Sequence, residues 1–351
     1  MKAFIGSRKG LIVLKNLKGK WQIEKSFFDG VKASYVNCDP HTGAIWAGIA
    51  HGHWGPKLHV STDKGRNFKE VGAPKFPTEN DGKSESLKDF WAFAADSKGR
   101  IYVGTEPAGL FHSDDQGKTW TFNEALNNIR GKEAWFGAGT DATALHSILI
   151  NPENADHILI GISVAGVLQS KNRGKTWEYS NRGQKAYFLP DHDAEIGQDP
   201  HLIERAASNP SILWQQNHCG IFKSEDGGNS WLDFSKAKGV KSGFGWAVAI
   251  DEKDANIVYT VPALSDENRI PIKKKLIVQK TTNGGKSWKI LNKGLPDKNC
   301  YDIVYRHALS VKENHILFGT TTGHVYFSKN QGESWQMLPN HLPAIYSVKL
   351  V

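Results

Sequence analysis

Cysteine and methionine are scarce, with three and two among 351 residues. Cys38, Cys219 and Cys300 are odd in number and lack paired spacing, which excludes a disulfide framework. Long apolar runs are missing as well, and no stretch approaches the roughly 20 residues that a spanning helix needs. The opening segment, Met1-Lys-Ala-Phe-Ile-Gly-Ser7, lacks the sustained apolar core of a secretory signal and runs straight into strand-like alternation. The expectation is a cytoplasmic protein without a membrane partner. Gly-rich phosphate loops and nucleophile elbows are absent, which argues against nucleotide hydrolysis and serine-hydrolase chemistry. Acidic residues are outnumbered by basic ones, 36 to 44, for a formal net charge of +8. The lysines are scattered, however, and the one tight run, Lys273-Lys274-Lys275, reads as a solvated loop. Nucleic acid is therefore not expected as a partner.

What the chain has in quantity is glycine and aromatic residues. Thirty-five Gly point to many turns and few long helices, while 12 Trp, 16 Phe and 9 Tyr supply ample burial for a folded core. An eight-residue pattern, Ser/Thr-x-Asp/Asn-x-Gly-x-x-aromatic, recurs along the sequence. Its copies are Ser61-Thr-Asp-Lys-Gly-Arg-Asn-Phe68, Ser113-Asp-Asp-Gln-Gly-Lys-Thr-Trp120 and Ser170-Lys-Asn-Arg-Gly-Lys-Thr-Trp177. They continue as Ser224-Glu-Asp-Gly-Gly-Asn-Ser-Trp231, Thr281-Thr-Asn-Gly-Gly-Lys-Ser-Trp288 and Ser328-Lys-Asn-Gln-Gly-Glu-Ser-Trp335. The pattern glycines lie 52, 57, 54, 57 and 47 residues apart. A period near fifty marks a repeat architecture.

The motif is a turn in which the Asp/Asn side chain binds backbone amides and the glycine takes φ > 0. The aromatic residue starts the next strand and drops between neighbouring sheets. Two further strand-like runs precede each copy, as in Ile148-Leu-Ile150 and Ile158–Ile162 before the third box. Four strands per repeat, arranged radially, make a β-propeller blade. The first 26 residues read as three strands around a degenerate box, Lys15-Asn-Leu-Lys-Gly-Lys-Trp21, and Ile345–Val351 reads as a lone strand. Joined, they complete a seventh blade and remove the open edge. The expected fold is an all-β, seven-bladed propeller over residues 1–351, a single domain whose termini share one blade.

These boxes resemble the Asp-box, or BNR, repeats of sialidase-type propellers, which also occur in sortilin-like receptors and a photosystem assembly factor. More narrowly, His51-Gly-His-Trp-Gly-Pro56, Glu106-Pro-Ala-Gly109, Glu195-Ile-Gly-Gln198 and Asn217-His-Cys-Gly220 resemble a bacterial group of glycosyl-hydrolase-like BNR proteins. The resemblance implies the propeller fold and leaves function open among hydrolases, receptors and assembly factors. Sialidases clamp a substrate carboxylate with three arginines and carry Arg-Ile-Pro before their first box. Here Arg269-Ile-Pro271 follows the fourth box, so that catalytic set is not carried over and exo-sialidase activity is not expected.

With blade strands labelled a to d from the axis outward, the boxes join c to d on one face of the disc. The b–c loops and the d–a links open on the other, and they are long and rich in His, Asp, Glu and Arg. Loaded loops over a rigid channel are the usual place for a site. Aligning the innermost strands on their following turns makes Ser34, Trp91, His146, Glu204, Trp246 and Arg306 equivalent channel positions. On this face Glu106 and Glu195 are the candidate proton-transfer carboxylates, and Arg269 and Arg306 the candidate anion clamp. If a divalent transition metal is bound, its expected ligands are His53, His146, His201 and His218. Two functional readings stand. One is a polar axial pocket for a small polar or anionic, carbohydrate-like ligand, with glycosidase-like or metal-assisted lyase or hydrolase chemistry. The other is a non-catalytic protein-interaction or assembly scaffold that uses the same face.

Overall fold

The computed structural model describes residues 1–78, 84–137 and 142–351. The box turns form as the repeat requires. In all six copies the leading Ser/Thr hydroxyl accepts the N–H of the pattern glycine, at 2.8–3.0 Å from Ser61 to Ser328. The Asp/Asn Oδ1 accepts the N–H four residues on, at 2.9–3.0 Å. Every pattern glycine has positive φ, between 76° and 100°, the region where a Cβ would be strained. The degenerate N-terminal turn keeps the essentials, with Gly19 donating to Asn16 Oδ1 at 2.8 Å.

Seven four-stranded antiparallel sheets follow, each with its innermost strand on the axis. These inner strands are Ile345–Leu350, Lys32–Cys38, Asp89–Ala95, Leu145–Asn151, Pro200–Arg205, Gly245–Ile250 and Leu309–Lys312. The first pairs with Lys2–Ser7, so both termini build blade one; blades two to seven follow in chain order. Aromatic side chains fill the seams between blades. Trp46 stacks on Phe93 at 5.0 Å between blades two and three, and Trp214 meets Trp288 edge-on at 6.0 Å between blades five and six. Trp231 reaches back across a seam to donate its indole N–H to the Ser180 carbonyl at 2.8 Å.

A β-bulge recurs near the start of the inner strands. The a–b register skips one residue at Ser34, Trp91, His146, His201, Trp246 and Tyr346. Bulges re-aim a side chain and sharpen the local twist. In blades two to four the residue after the bulge lies opposite a strand-b glycine, Gly48, Gly104 or Gly161. A Cβ on Gly104 would stand 2.4 Å from the Leu145 carbonyl of the next blade. The bare glycine is thus what lets adjacent blades close around the axis.

Candidate active site at the axial cavity

The channel is divided into two chambers. Tyr35 and His307, packed edge-to-face at 4.7 Å, line both and form the partition. The chamber on the box face is about 290 Å³ and is lined by Asn37, His146, Glu204 and Lys349 among others. The larger one, about 580 Å³, opens on the opposite face. Five of the six bulged residues line it: Ser34, Trp91, His201, Trp246 and Tyr346. The inner-strand alignment is corrected in two blades: in blade seven Arg306 lines the chamber but precedes the inner strand Leu309–Lys312, whose register has no bulge. His201, not Glu204, occupies the bulged position of blade five, and Glu204 faces the other chamber. The cause is the a–b connection there. Ile150 pairs with Ile158 and Arg205 with Leu213, so the connections match in length, but Asn151 follows Ile150 directly while Asn209 follows Arg205 by four residues. Asn209-Pro210 thus sits deeper in its turn and shifts an ungapped count by three.

The larger chamber carries two guanidiniums over indoles. Arg306 lies 5.2 Å from the Trp91 ring and Arg269 lies 5.8 Å from the Trp246 ring. Arg306 donates to Ser163 Oγ at 3.3 Å, while its buried Nε has no partner among the described residues. Arg269 donates from Nε to the Asp266 carbonyl at 3.1 Å. Neither makes an ion pair with a described carboxylate. Tyr305 and Tyr346 also line it, stacked at 5.8 Å and 21°, as does an ion pair between Lys32 and Asp89.

Beside Trp246, whose ring stacks on His201 at 5.7 Å and 11°, runs a chain of imidazoles and carboxylates. Asp199 precedes the blade-five inner strand by one residue and is 3 % exposed. Its Oδ1 accepts the Val164 N–H at 3.1 Å. Its Oδ2 faces His201 Nε2 at 3.4 Å and His218 Nδ1 at 3.3 Å. His218 Nε2 meets Asp266 Oδ2 at 3.1 Å, and His201 Nδ1 donates to the Gly245 carbonyl at 2.6 Å. Burial pushes the Asp199 carboxyl up, but the two histidines and Arg306 outweigh it and hold it well below the usual carboxylate range. Burial pulls His201 below its ordinary value despite the carboxylate beside it. His218 is half-buried between two carboxylates, which overcome its desolvation and raise it.

The expected site residues are gathered only in part. His201, His218, Arg269 and Arg306 line the chamber. Glu106 stands just behind it, buried, accepting the Trp91 indole N–H at 3.1 Å, and raised by burial and by the nearby Asp89. Glu195 is not in the chamber; it pairs with Arg130 at 2.7 Å, and both side chains are largely exposed. His53 is also outside, exposed on a blade-two hairpin beside His51 and Trp54. His146 is buried in the other chamber, bonded through Nδ1 to Ser147 Oγ at 2.9 Å. Asp199 was one of four carboxylates crowding the link ahead of His201, and its place in Asp199-Pro-His201 was the available signal. Asp266 had no such signal, because only the fold of its long b–c loop brings it to His218.

A model of the BNR/Asp-box repeat matches residues 111–122, the second box with its flanking strands. No curated protein matches the sequence. Among solved structures, a putative 6-phosphogluconolactonase from Bacteroides uniformis is similar with a TM-score of 0.60 at 12 % identity, over 100 % of this chain and 99 % of that one. An ancestral GH74 enzyme gives 0.55 at 15 % identity, over 95 % of this chain but only 40 % of its own length. YCF48 bound to D1 peptide gives 0.52 at 13 % identity, over 88 % and 84 %. At these identities the likeness is one of fold. The chain carries BNR/Asp-box repeats on a seven-bladed propeller.

Proposed function

We propose that this BNR/Asp-box propeller binds a small anionic, sugar-acid type ligand in its larger axial chamber and performs lyase- or hydrolase-type chemistry on it. The observation that carries the reading is the pair of guanidiniums, Arg306 and Arg269, each laid on an indole and neither ion-paired to a described carboxylate. A guanidinium left without a counter-charge beside an enclosed aromatic wall suits a planar carboxylate, which it binds through parallel N–H donors. The Trp91, Trp246 and tyrosine faces suit the apolar faces of a ring. The imidazole–carboxylate chain of Asp199, His201, His218 and Asp266 lies on the same chamber, so an anion clamp and proton-handling or metal-ligating groups surround one space. Glycosidase chemistry with two facing carboxylates is less well supported, since Glu195 lies outside the chamber and Glu106 sits behind Trp91. A protein-binding scaffold would be better served by a flat, open surface than by this enclosed space.

The test is quenching of tryptophan fluorescence by hexuronates and by the matching neutral hexoses. Saturable quenching by the uronates alone, weakened at least about tenfold in Arg306→Ala, is the expected result. Equal response to both sugar types, or unchanged uronate binding in that variant, would sink the reading.

A further inference from the structure

We propose that Asp199, His201 and His218 form a divalent transition-metal site on the wall of the larger chamber. One ligand atom from each lies within 4.8 Å of the other two. The separations that share Asp199 Oδ2, 3.4 Å to His201 Nε2 and 3.3 Å to His218 Nδ1, match the edge length of a coordination tetrahedron, and the third, between the two imidazoles, is within 4.8 Å. Bonds of about 2.0–2.1 Å give ligand–ligand distances near 3.3–3.4 Å by geometry alone.

The second observation is independent of these distances. The Gly245 carbonyl can only accept, so His201 Nδ1 must carry the proton of the neutral ring, and Nε2 presents a lone pair. That lone pair faces a carboxylate oxygen, which is another acceptor. Two buried acceptors 3.4 Å apart need a proton or a metal cation between them, and this is the position a bound metal would take. An Nδ1–H held by a carbonyl is also how metal-ligating histidines are commonly oriented. His218 places Nε2 on Asp266 Oδ2 at 3.1 Å and Nδ1 on Asp199 Oδ2 at 3.3 Å, so a metal at the second contact would displace the proton that the two carboxylates otherwise favour.

Two imidazoles and one carboxylate leave coordination positions open toward the chamber, the pattern of catalytic zinc sites and of iron or manganese centres. A metal there would act as a Lewis acid on a carboxylate or hydroxyl oxygen of the ligand. That last role rests on the sugar-acid reading; the metal site does not. It replaces the four-histidine set, because His53 is exposed on a blade-two hairpin and His146 lies in the other chamber.

The experiment is calorimetric titration of the full chain, stripped with a chelator and desalted, with Zn²⁺ and separately with Mn²⁺. Expected are one site per chain for at least one of the two ions, and a loss of more than about 100-fold in affinity in Asp199→Asn and in His218→Ala. Asp266→Asn, which removes only the orienting partner, is expected to cost about 10- to 100-fold. His53→Ala should bind as the parent does. Circular dichroism and melting of each variant separate lost ligation from lost folding, and Asp266→Asn still tests the site if a ligand variant fails to fold. Absence of a one-to-one site for either ion would overturn the proposal, as would parental affinity in folded Asp199→Asn or His218→Ala. Hexuronate titration of metal-free and metal-loaded protein keeps the two readings apart, since the metal can bind in a protein that ignores uronates.

Discussion

Glu204 lines the smaller chamber and has no ion pair or hydrogen bond among the described residues. Burial pushes its carboxyl up to about 7 from an ordinary value of 4.5, only partly offset by Lys349. The folded protein therefore keeps a proton on Glu204 over a range in which the unfolded chain has released it. Between pH 4.5 and about 7 the native state binds more protons, so stability falls as pH rises. The favourable contribution is complete below 4.5 and lost above about 7. The span corresponds to about 3 kcal/mol. Glu204→Gln removes the ionisation and keeps the shape. Urea midpoints for parent and variant, measured every half unit from pH 4 to pH 8.5, should agree near pH 4.5. They should then separate until the variant is more stable by about 2–3 kcal/mol above pH 7.5. Lys349→Met withdraws the compensating charge and should move the upper end of the window to higher pH. Parallel midpoint curves for parent and Glu204→Gln across this range would refute the reasoning, because the carboxyl would then be as well solvated folded as unfolded.

The remaining expectations concern the scaffold and the chamber wall. Asp226→Ala deletes a side chain that accepts from the Ser230 N–H at 3.0 Å and from the Ser224 hydroxyl at 2.8 Å. It should lower stability by about 1 kcal/mol in denaturant titration, with hexuronate quenching unchanged because the box is on the far face. Gly104→Ala places a methyl 2.4 Å from the Leu145 carbonyl, and a loss of about 1–3 kcal/mol is expected in the same assay. Trp91→Leu removes the ring beneath Arg306. Hexuronate affinity should fall between a few-fold and about 30-fold, the range of a partly desolvated cation–π contact. A Trp91→Leu protein that melts as the parent does and binds uronate equally would show that this face is not part of the ligand site.

The architecture was legible because its signal is local. Each box holds its turn through bonds spanning four residues, such as Gly117 to Ser113 and Thr119 to Asp115, so the residues that define the turn stand together in the sequence. Counting six boxes, and joining the orphan strands at the two ends, then leaves a closed ring as the natural arrangement. The facing of the loops follows from antiparallel alternation, which is why the histidine-rich connections and the larger chamber share a face.

The site was legible only where the same local logic reached it. Trp91, Trp246 and Arg306 are found by counting back from the a–b turns, which works where the turn signal stands at the end of the inner strand. In blade five Asn209-Pro210 comes four residues after Arg205, the last residue of the inner strand, and the count falls on Glu204. The deeper reason is that side chains reach the axis through a bulge. A bulge adds one residue to the inner strand without any composition of its own, so Ser34, Trp91, His146, His201, Trp246 and Tyr346 share a position but no chemistry. Its trace in the sequence lies on the neighbouring strand, in Gly48, Gly104 and Gly161, where a Cβ would strike the next blade. The propeller thus separates its two tasks by residue. Glycines and boxes that repeat around the ring hold the blades together, and the bulged position, freed from packing, varies from blade to blade. That freedom lets the chamber set indoles and guanidiniums beside Asp199, His201 and His218, a grouping that a strictly repeated sequence would have spread evenly around the ring.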